Sequence, residues 1–192
     1  CVEIPSYAHN ELNRRFRGNK FLKPLAKPLH FFQPLSYWFA IRSLKKHFQM
    51  QGSFDLLLSD NGGYPAAWGT ICAIEAAACL GIKARIMLVH HAAVLPAAFM
   101  GTFERYVDGR MNRLVSTFVC VSSATRQALL QLRWIDIARV PIRVIHNGMG
   151  RNQIVNTSEV LNLRKAVDAT PDEQLVGMVG RVASYKGHED VI

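Results

Sequence analysis

Short unbroken apolar runs alternate along this chain with longer stretches whose apolar residues recur at helical spacing. Leu35 to Met50 has the helical period, with Pro34 where a first turn starts and Gln51-Gly52-Ser53 as the stop. Phe54 to Ser59 reads as a short buried strand, and Asp60-Asn61-Gly62-Gly63 as the turn that follows it. Pro65 suits the first turn of a helix running to Leu80, with Gly81 as its C-cap. Ala84 to Val89 predicts a strand with His90-His91 at its end, and Phe99 to Leu114 a helix. Thr117 to Val121 predicts the next strand, and Ser122-Ser123 caps a helix to about Leu132. Arg143 to Ile145 predicts a strand, Asn156 to Val167 a helix and Leu175 to Val179 a last strand. Near the start, Val2 to Pro5 reads as the tail of a strand and Asn10 to Lys27 as irregular.

The order strand, turn, helix, repeated, predicts an α/β protein with a largely parallel sheet. No interval repeats, and no segment has low complexity. The conspicuous polar residues follow strands: Asp60 and Asn61, His90 and His91, Ser122 and Ser123, Asn147, then Arg181. In a parallel sheet such ends share one side, where the ligands of doubly wound sheets bind. Polar residues at strand ends are common in any case, so the pattern predicts a cleft rather than a chemistry.

Composition is that of a globular protein, 49% hydrophobic and 19% charged over 192 residues, so a substantial core is expected. No apolar run approaches the roughly 20 residues of a spanning helix, and no signal peptide is visible. Cys1, Cys72, Cys79 and Cys120 form no CxxC pair and read as buried free thiols in a reducing compartment. A first residue of Cys1, with no linker composition after it, reads as a fragment boundary in preference to a lipid-anchored terminus. Net charge is +9 and unevenly spread. Residues 1–50 hold nine Lys and Arg against Glu3 and Glu11, while the other 142 residues hold 14 against 12. Aromatics interleave with the basic quarter. It fits an anionic membrane surface, or a solvated basic face on helices whose aromatics pack inward. No nucleic-acid motif accompanies the charge.

Four local patterns carry candidate chemistry. Gly62-Gly63-Tyr64-Pro65 joins a strand to a helix, where bare backbone and a helix N-terminus suit a ligand; a tight turn uses the same residues. The dinucleotide fingerprint G-x-G-x-x-G and the Walker A sequence are both absent, which removes the main support for a nicotinamide dehydrogenase or a P-loop enzyme. His90-His91 puts two imidazoles at a strand end, able to hold a hydroxyl or phosphate or to move a proton; ordinary turn histidines would give the same pattern. A metal pair is disfavoured there, because adjacent residues of an extended chain point apart. Val144 to Gly148 ends a strand in a sharp turn and marks a domain boundary. Arg181 and Lys186 place a guanidinium and an ammonium on one loop, a pair that suits a diphosphate. No Asp-x-Asp occurs to bridge a diphosphate through a metal, and surface charges alone would also account for the two cations.

Taken in order, four stretches give the chain a family resemblance. They are Asp60 to Pro65, Lys83 to His91, Phe118 to Arg126, and Val144 to Gly148 followed by Gly177 to Gly187. The chain resembles a retaining glycosyltransferase of the GT-B fold, in the large family 4 (glycosyl transferase group 1). The match spans residues 54–192, while residues 1–53 correspond only in type. The resemblance implies an acceptor-side Rossmann-like domain over residues 1–147, with its first strand missing. It also implies a linker and the incomplete beginning of a nucleotide-sugar donor domain over 148–192.

By the same resemblance, Arg181 and Lys186 hold the donor diphosphate, and His90, rather than His91, is the active-site imidazole. Asn61, Gly62 and Gly63 become acceptor or sugar contacts. No cofactor or metal is required. The implied partners are a nucleotide-sugar donor and a glycan or lipid-linked acceptor. The basic charge of residues 1–50, apart from the resemblance, adds peripheral contact with an anionic membrane as an expectation, and no nucleic acid is expected. The implied reaction transfers a hexosyl group with retention, in bacterial surface polysaccharide or lipopolysaccharide synthesis. The implied location is the cytoplasm, or the inner face of the cell membrane. The chain as given would be an inactive fragment. Two alternatives stay open: a GT-B epimerase or phosphorylase, and a non-catalytic basic adaptor at membranes.

Overall fold

The computed structural model describes residues 32–148, 164–170, 172–180, 182 and 187–190. The readings for Val2 to Pro5, for Asn10 to Lys27 and for Arg181 and Lys186 lie outside the described residues, as does most of the helix expected from Asn156. Contacts divide the chain into two units, Cys1–Asn147 and Gly148–Ile192.

The first unit begins with α1 (Gln33–Gln51) and continues β1 (Leu56–Gly63), α2 (Trp68–Cys79), β2 (Ala84–His91), α3 (Gly101–Leu114), β3 (Thr117–Cys120), α4 (Ser123–Leu132) and β4 (Ile142–Val144). The four strands form one sheet in the order β1-β2-β3-β4, every neighbouring pair parallel. This is an α/β, Rossmann-like arrangement, as the alternation of periods predicts. One set of alternate strand positions, Met87, Val89, Phe118, Cys120 and Ile142, is buried in a core shared with Ile71 and Ile74 of α2, Val107 and Met111 of α3, and Leu129 of α4. α1 packs on α2 and adds Tyr37, Ile41, Leu44 and Phe48 to that core.

Two expectations about β1 are corrected. It is not buried throughout: Leu56 and Leu58 are exposed while Ser59, Asn61 and Gly63 are buried, the alternation of a strand covered on one face. Asp60 to Gly63 also does not turn. These residues continue the strand because β2 extends beside them, pairing Asp60 with Leu88, Asn61 with Val89 and Gly63 with His91. Ladder bonds to a neighbouring strand outweigh the turn tendency of Asp, Asn and Gly.

The turn comes later, where Ala66 N–H donates to the Gly63 carbonyl at 2.7 Å. α2 therefore starts at Trp68 rather than at Pro65, which follows a cis peptide bond. Its far end is as expected. Gly81 has φ +76° and Ile82 N–H returns to the Ala77 carbonyl at 3.0 Å, so a left-handed residue closes the helix. Ser122 likewise caps α4, its Oγ accepting from Thr125 N–H at 3.1 Å. Cys72 and Cys120 are buried free thiols, but Cys79 is exposed because it ends α2 beside the exposed C-cap turn.

In the second unit, residues 164–166 are helical, and a 3-10 turn spans His188–Asp190. Arg164 ties the turn after the helical residues, donating to the carbonyls of Thr170 at 2.8 Å and Glu173 at 3.1 Å. Leu175 to Val179 is not a strand, and its side chains are exposed. Apolar β-forming residues make a strand only against a ladder partner, and none lies beside this run among the described residues.

Candidate functional site

The parallel sheet puts the carboxyl ends of all four strands on one edge, and there β1 and β2 bring Asp60 and His90 together. Asp60 lies opposite Leu88, so His90 is two residues further along β2 on the same face. The Asp60 carboxylate reaches diagonally to His90 Nε2 at 3.0 Å, with the His90 side chain 32% and the Asp60 side chain 66% exposed. In the neutral ring, a carboxylate at that distance favours the tautomer with hydrogen on Nε2, which leaves Nδ1 as an acceptor.

Gly62 follows Asp60 on the same face of β1. A Cβ built there would meet only His91 Cδ2, at 3.9 Å, so the backbone beside the Asp60–His90 pair is bare and open. Gly63 is tighter: its added Cβ would lie 3.4 Å from the Ala92 carbonyl. Neither glycine has the positive φ that would itself demand glycine.

Asn61 points the other way. It is fully buried, and its Oδ1 accepts from Ala67 N–H at 3.1 Å, anchoring the residue before α2. Its Nδ2 is buried without a hydrogen-bond partner among the described residues. The expected sugar contacts thus separate. Gly62 stands beside His90, and Asn61 sits beneath the α2 entry. His91 is exposed, as adjacent residues of a strand diverge. At the other strand ends, the Ser122 hydroxyl is taken up in capping α4, and His146 Nδ1 lies 3.0 Å from the Val121 carbonyl.

Beneath these ends lies a cluster that sequence reasoning did not find. Arg133, just after α4, has its side chain fully buried between Asp108 and Glu104 of α3. Its Nε and Nη2 reach the two Asp108 oxygens at 3.1 and 3.0 Å, and Nη1 reaches Glu104. Tyr64 donates its hydroxyl to Asp108 at 2.9 Å, and the guanidinium lies over the Tyr64 ring, 5.3 Å from its centroid. Ala97 N–H donates to Glu104, and the Val94 carbonyl accepts from Arg133. One network therefore fixes both loops beside the site, β1–α2 through Tyr64 and β2–α3 through Val94 and Ala97. Burial pushes the Tyr64 hydroxyl well above its usual range, and the Asp108 charge adds to the rise. Burial opposes the Arg133 charge, but the bonds and charge of Asp108, with help from Glu104, outweigh it and raise its pKa.

Between the two loops is a cavity of about 410 Å³, walled mostly by apolar groups that include Pro65, Trp68, Val94, Leu95 and Met100, with Glu104 at its wall. Among the described residues, no three His, Cys, Asp or Glu side chains gather as metal ligands, and no helix is long and apolar enough to cross a membrane. Comparison with protein-family models, curated proteins and solved structures returns no match.

Proposed function

We propose that the protein is a retaining glycosyltransferase of the GT-B type, moving a hexosyl group from a nucleoside diphosphate to a glycan or lipid-linked acceptor. The supporting observation is the Asp60–His90 pair beside bare Gly62, at the carboxyl edge of a parallel sheet. That edge is where ligands of such sheets bind. An imidazole held by a carboxylate, with one ring nitrogen left over, is suited to orienting a sugar hydroxyl. In transfer, the bond from the anomeric carbon to the diphosphate breaks, a bond to the acceptor oxygen forms on the same face of the sugar, and the acceptor's hydroxyl proton passes to the departing diphosphate. Negative charge gathers on the departing diphosphate. Arg181 and Lys186, the two cations that the resemblance assigns to it, have the charge to stabilise that state. The setting that fits is the synthesis of bacterial surface polysaccharide.

The test is donor hydrolysis and transfer by the protein expressed from its gene, assayed over a panel of nucleoside-diphosphate hexoses. Arg181→Ala and Lys186→Ala are each expected to lower turnover about 10²-fold, the usual loss for one group that stabilises developing charge. Activity equal to the wild type in both variants would overturn the assigned roles.

A further inference from the structure

We infer that the outward face of α1 docks on an anionic lipid surface, a property that does not depend on which reaction the protein performs. α1 buries Gln33, Tyr37, Ile41, Leu44 and Phe48, which at the helical period form a single inward stripe. The opposite stripe is where a helix on a globular protein normally carries polar residues. Here the N-cap Phe32 and, in the first two turns, Leu35, Trp38 and Phe39 are exposed by 62%, 55%, 49% and 62%. The same stripe continues into exposed Arg42 and Lys46, with Lys45 at its margin and exposed Met50 at its end. α1 contains no acidic residue, and residues 1–50 carry a net charge of +7.

A helix lying in a bilayer interface needs aromatic and aliphatic side chains that sink to the acyl boundary and cations that meet the headgroups. Trp is favoured at that depth because its ring is apolar and its N–H is polar. Lys and Arg attract anionic lipid, and their long stems can lie along apolar surface. The outward face of α1 has both parts in sequence, apolar first and cationic second.

A second copy of the chain fits this face poorly. Parallel packing would bring Arg42 and Lys46 against their own counterparts, with no acidic residue on α1 to separate them. Antiparallel packing would set the cations of one helix on the aromatics of the other. Nucleic acid would engage cations spread along the helix, and its first two turns have none.

The test is flotation of the whole chain with vesicles of phosphatidylcholine, with and without phosphatidylglycerol. Wild-type protein is expected to float with the anionic vesicles, to stay behind with the neutral ones, and to be released by high salt. Leu35→Ser with Phe39→Ser, and separately Arg42→Glu with Lys46→Glu, should each weaken partitioning about tenfold or more. These four side chains are exposed, so both variants should keep the wild-type circular dichroism and melting temperature, which separates lost docking from lost folding. Trp38 stays in both and should shift its emission to the blue only on vesicles that bind. Failure of the wild type to float with anionic vesicles would overturn the proposal. So would equal flotation with neutral vesicles, or undiminished binding by both variants. Self-association that the variants abolish, without any lipid binding, would assign the face to a second copy instead.

Discussion

Arg133 and His90 each hold acidic partners beside the same pair of loops, yet the two arrangements share little else. The Arg133 side chain and that of Asp108 are fully buried, and Glu104 is 8% exposed. Each carboxylate oxygen there has a donor. Asp108 Oδ1 accepts from Tyr64 and Arg133, Oδ2 from Arg133 and Trp134 N–H, and the Glu104 oxygens from Ala97 N–H and Arg133. At the strand ends, Asp60 and His90 share one contact in reach of water. A buried cluster whose bonding capacity is consumed holds backbone in place. A pair with capacity left over at an open edge can meet a ligand. Burial and satisfied bonding, more than the presence of charge, separate scaffold from candidate site here.

The sharpest way to break the contrast is Arg133→Met. Methionine fills comparable space but leaves Asp108 and Glu104 buried without their cation. Removing one partner of a buried pair costs about 3–5 kcal/mol. That is a large share of the roughly 5–15 kcal/mol by which a domain is stable. Urea unfolding should show a midpoint lowered to match, with the slope unchanged. A loss below about 1 kcal/mol would mean that the network does not hold the loops.

Alkaline titration tests the same contrast without mutation. Burial, with the nearby charges of Asp108 and Glu75, raises the hydroxyls of Tyr64 and Tyr37. Burial also raises the Cys72 thiol, and pushes the Cys120 thiol up to about 11. A raised pKa means that the folded state keeps a proton the unfolded chain gives up. Stability from these groups is therefore complete below the unfolded values and is lost as pH rises through the folded ones. It should begin to fall near pH 9, from the two thiols, and steepen above pH 10 as the tyrosines contribute. Each group adds a slope of at most about 1.4 kcal/mol per pH unit. Melting temperature followed from pH 7 upward measures it, and a flat profile through pH 11 would contradict the assignment.

What could be read in the sequence follows from how local each cause is. The Gly81 and Ser122 caps depend on neighbours a few residues away, and β2 and β3 announce themselves by local apolar runs, so the pattern of residues foretells all four. The extension of β1 through Gly63 depends on β2 running beside it, and no local propensity reports that register. Leu175 to Val179 has the residues of a strand but no partner among the described residues. His90 stands out as a polar residue after an apolar run, whereas its pairing with Asp60 needs the cross-strand register. Arg133 meets Asp108 and Glu104 across 25 and 29 positions of sequence, and on α3 the two acids resemble an ordinary solvated i,i+4 face.

The gentlest test is Asp60→Asn. The pair it alters is partly exposed, Asp60 more than His90, so the change in stability should stay within about 1 kcal/mol. Asparagine keeps the size and one acceptor oxygen, but it loses the charge and adds an amide donor that can turn the His90 ring to the other tautomer. If Asp60 positions His90 for the proposed transfer, kcat should drop about tenfold, less than the 10²–10⁴-fold of a group that itself moves a proton. KM for the acceptor should change little, because the ring still occupies its place. A purely structural pair predicts the reverse, a small loss of stability with kcat unchanged. Measured beside Arg133→Met, the two variants should separate cleanly: one loses stability, and the other keeps its stability and loses rate.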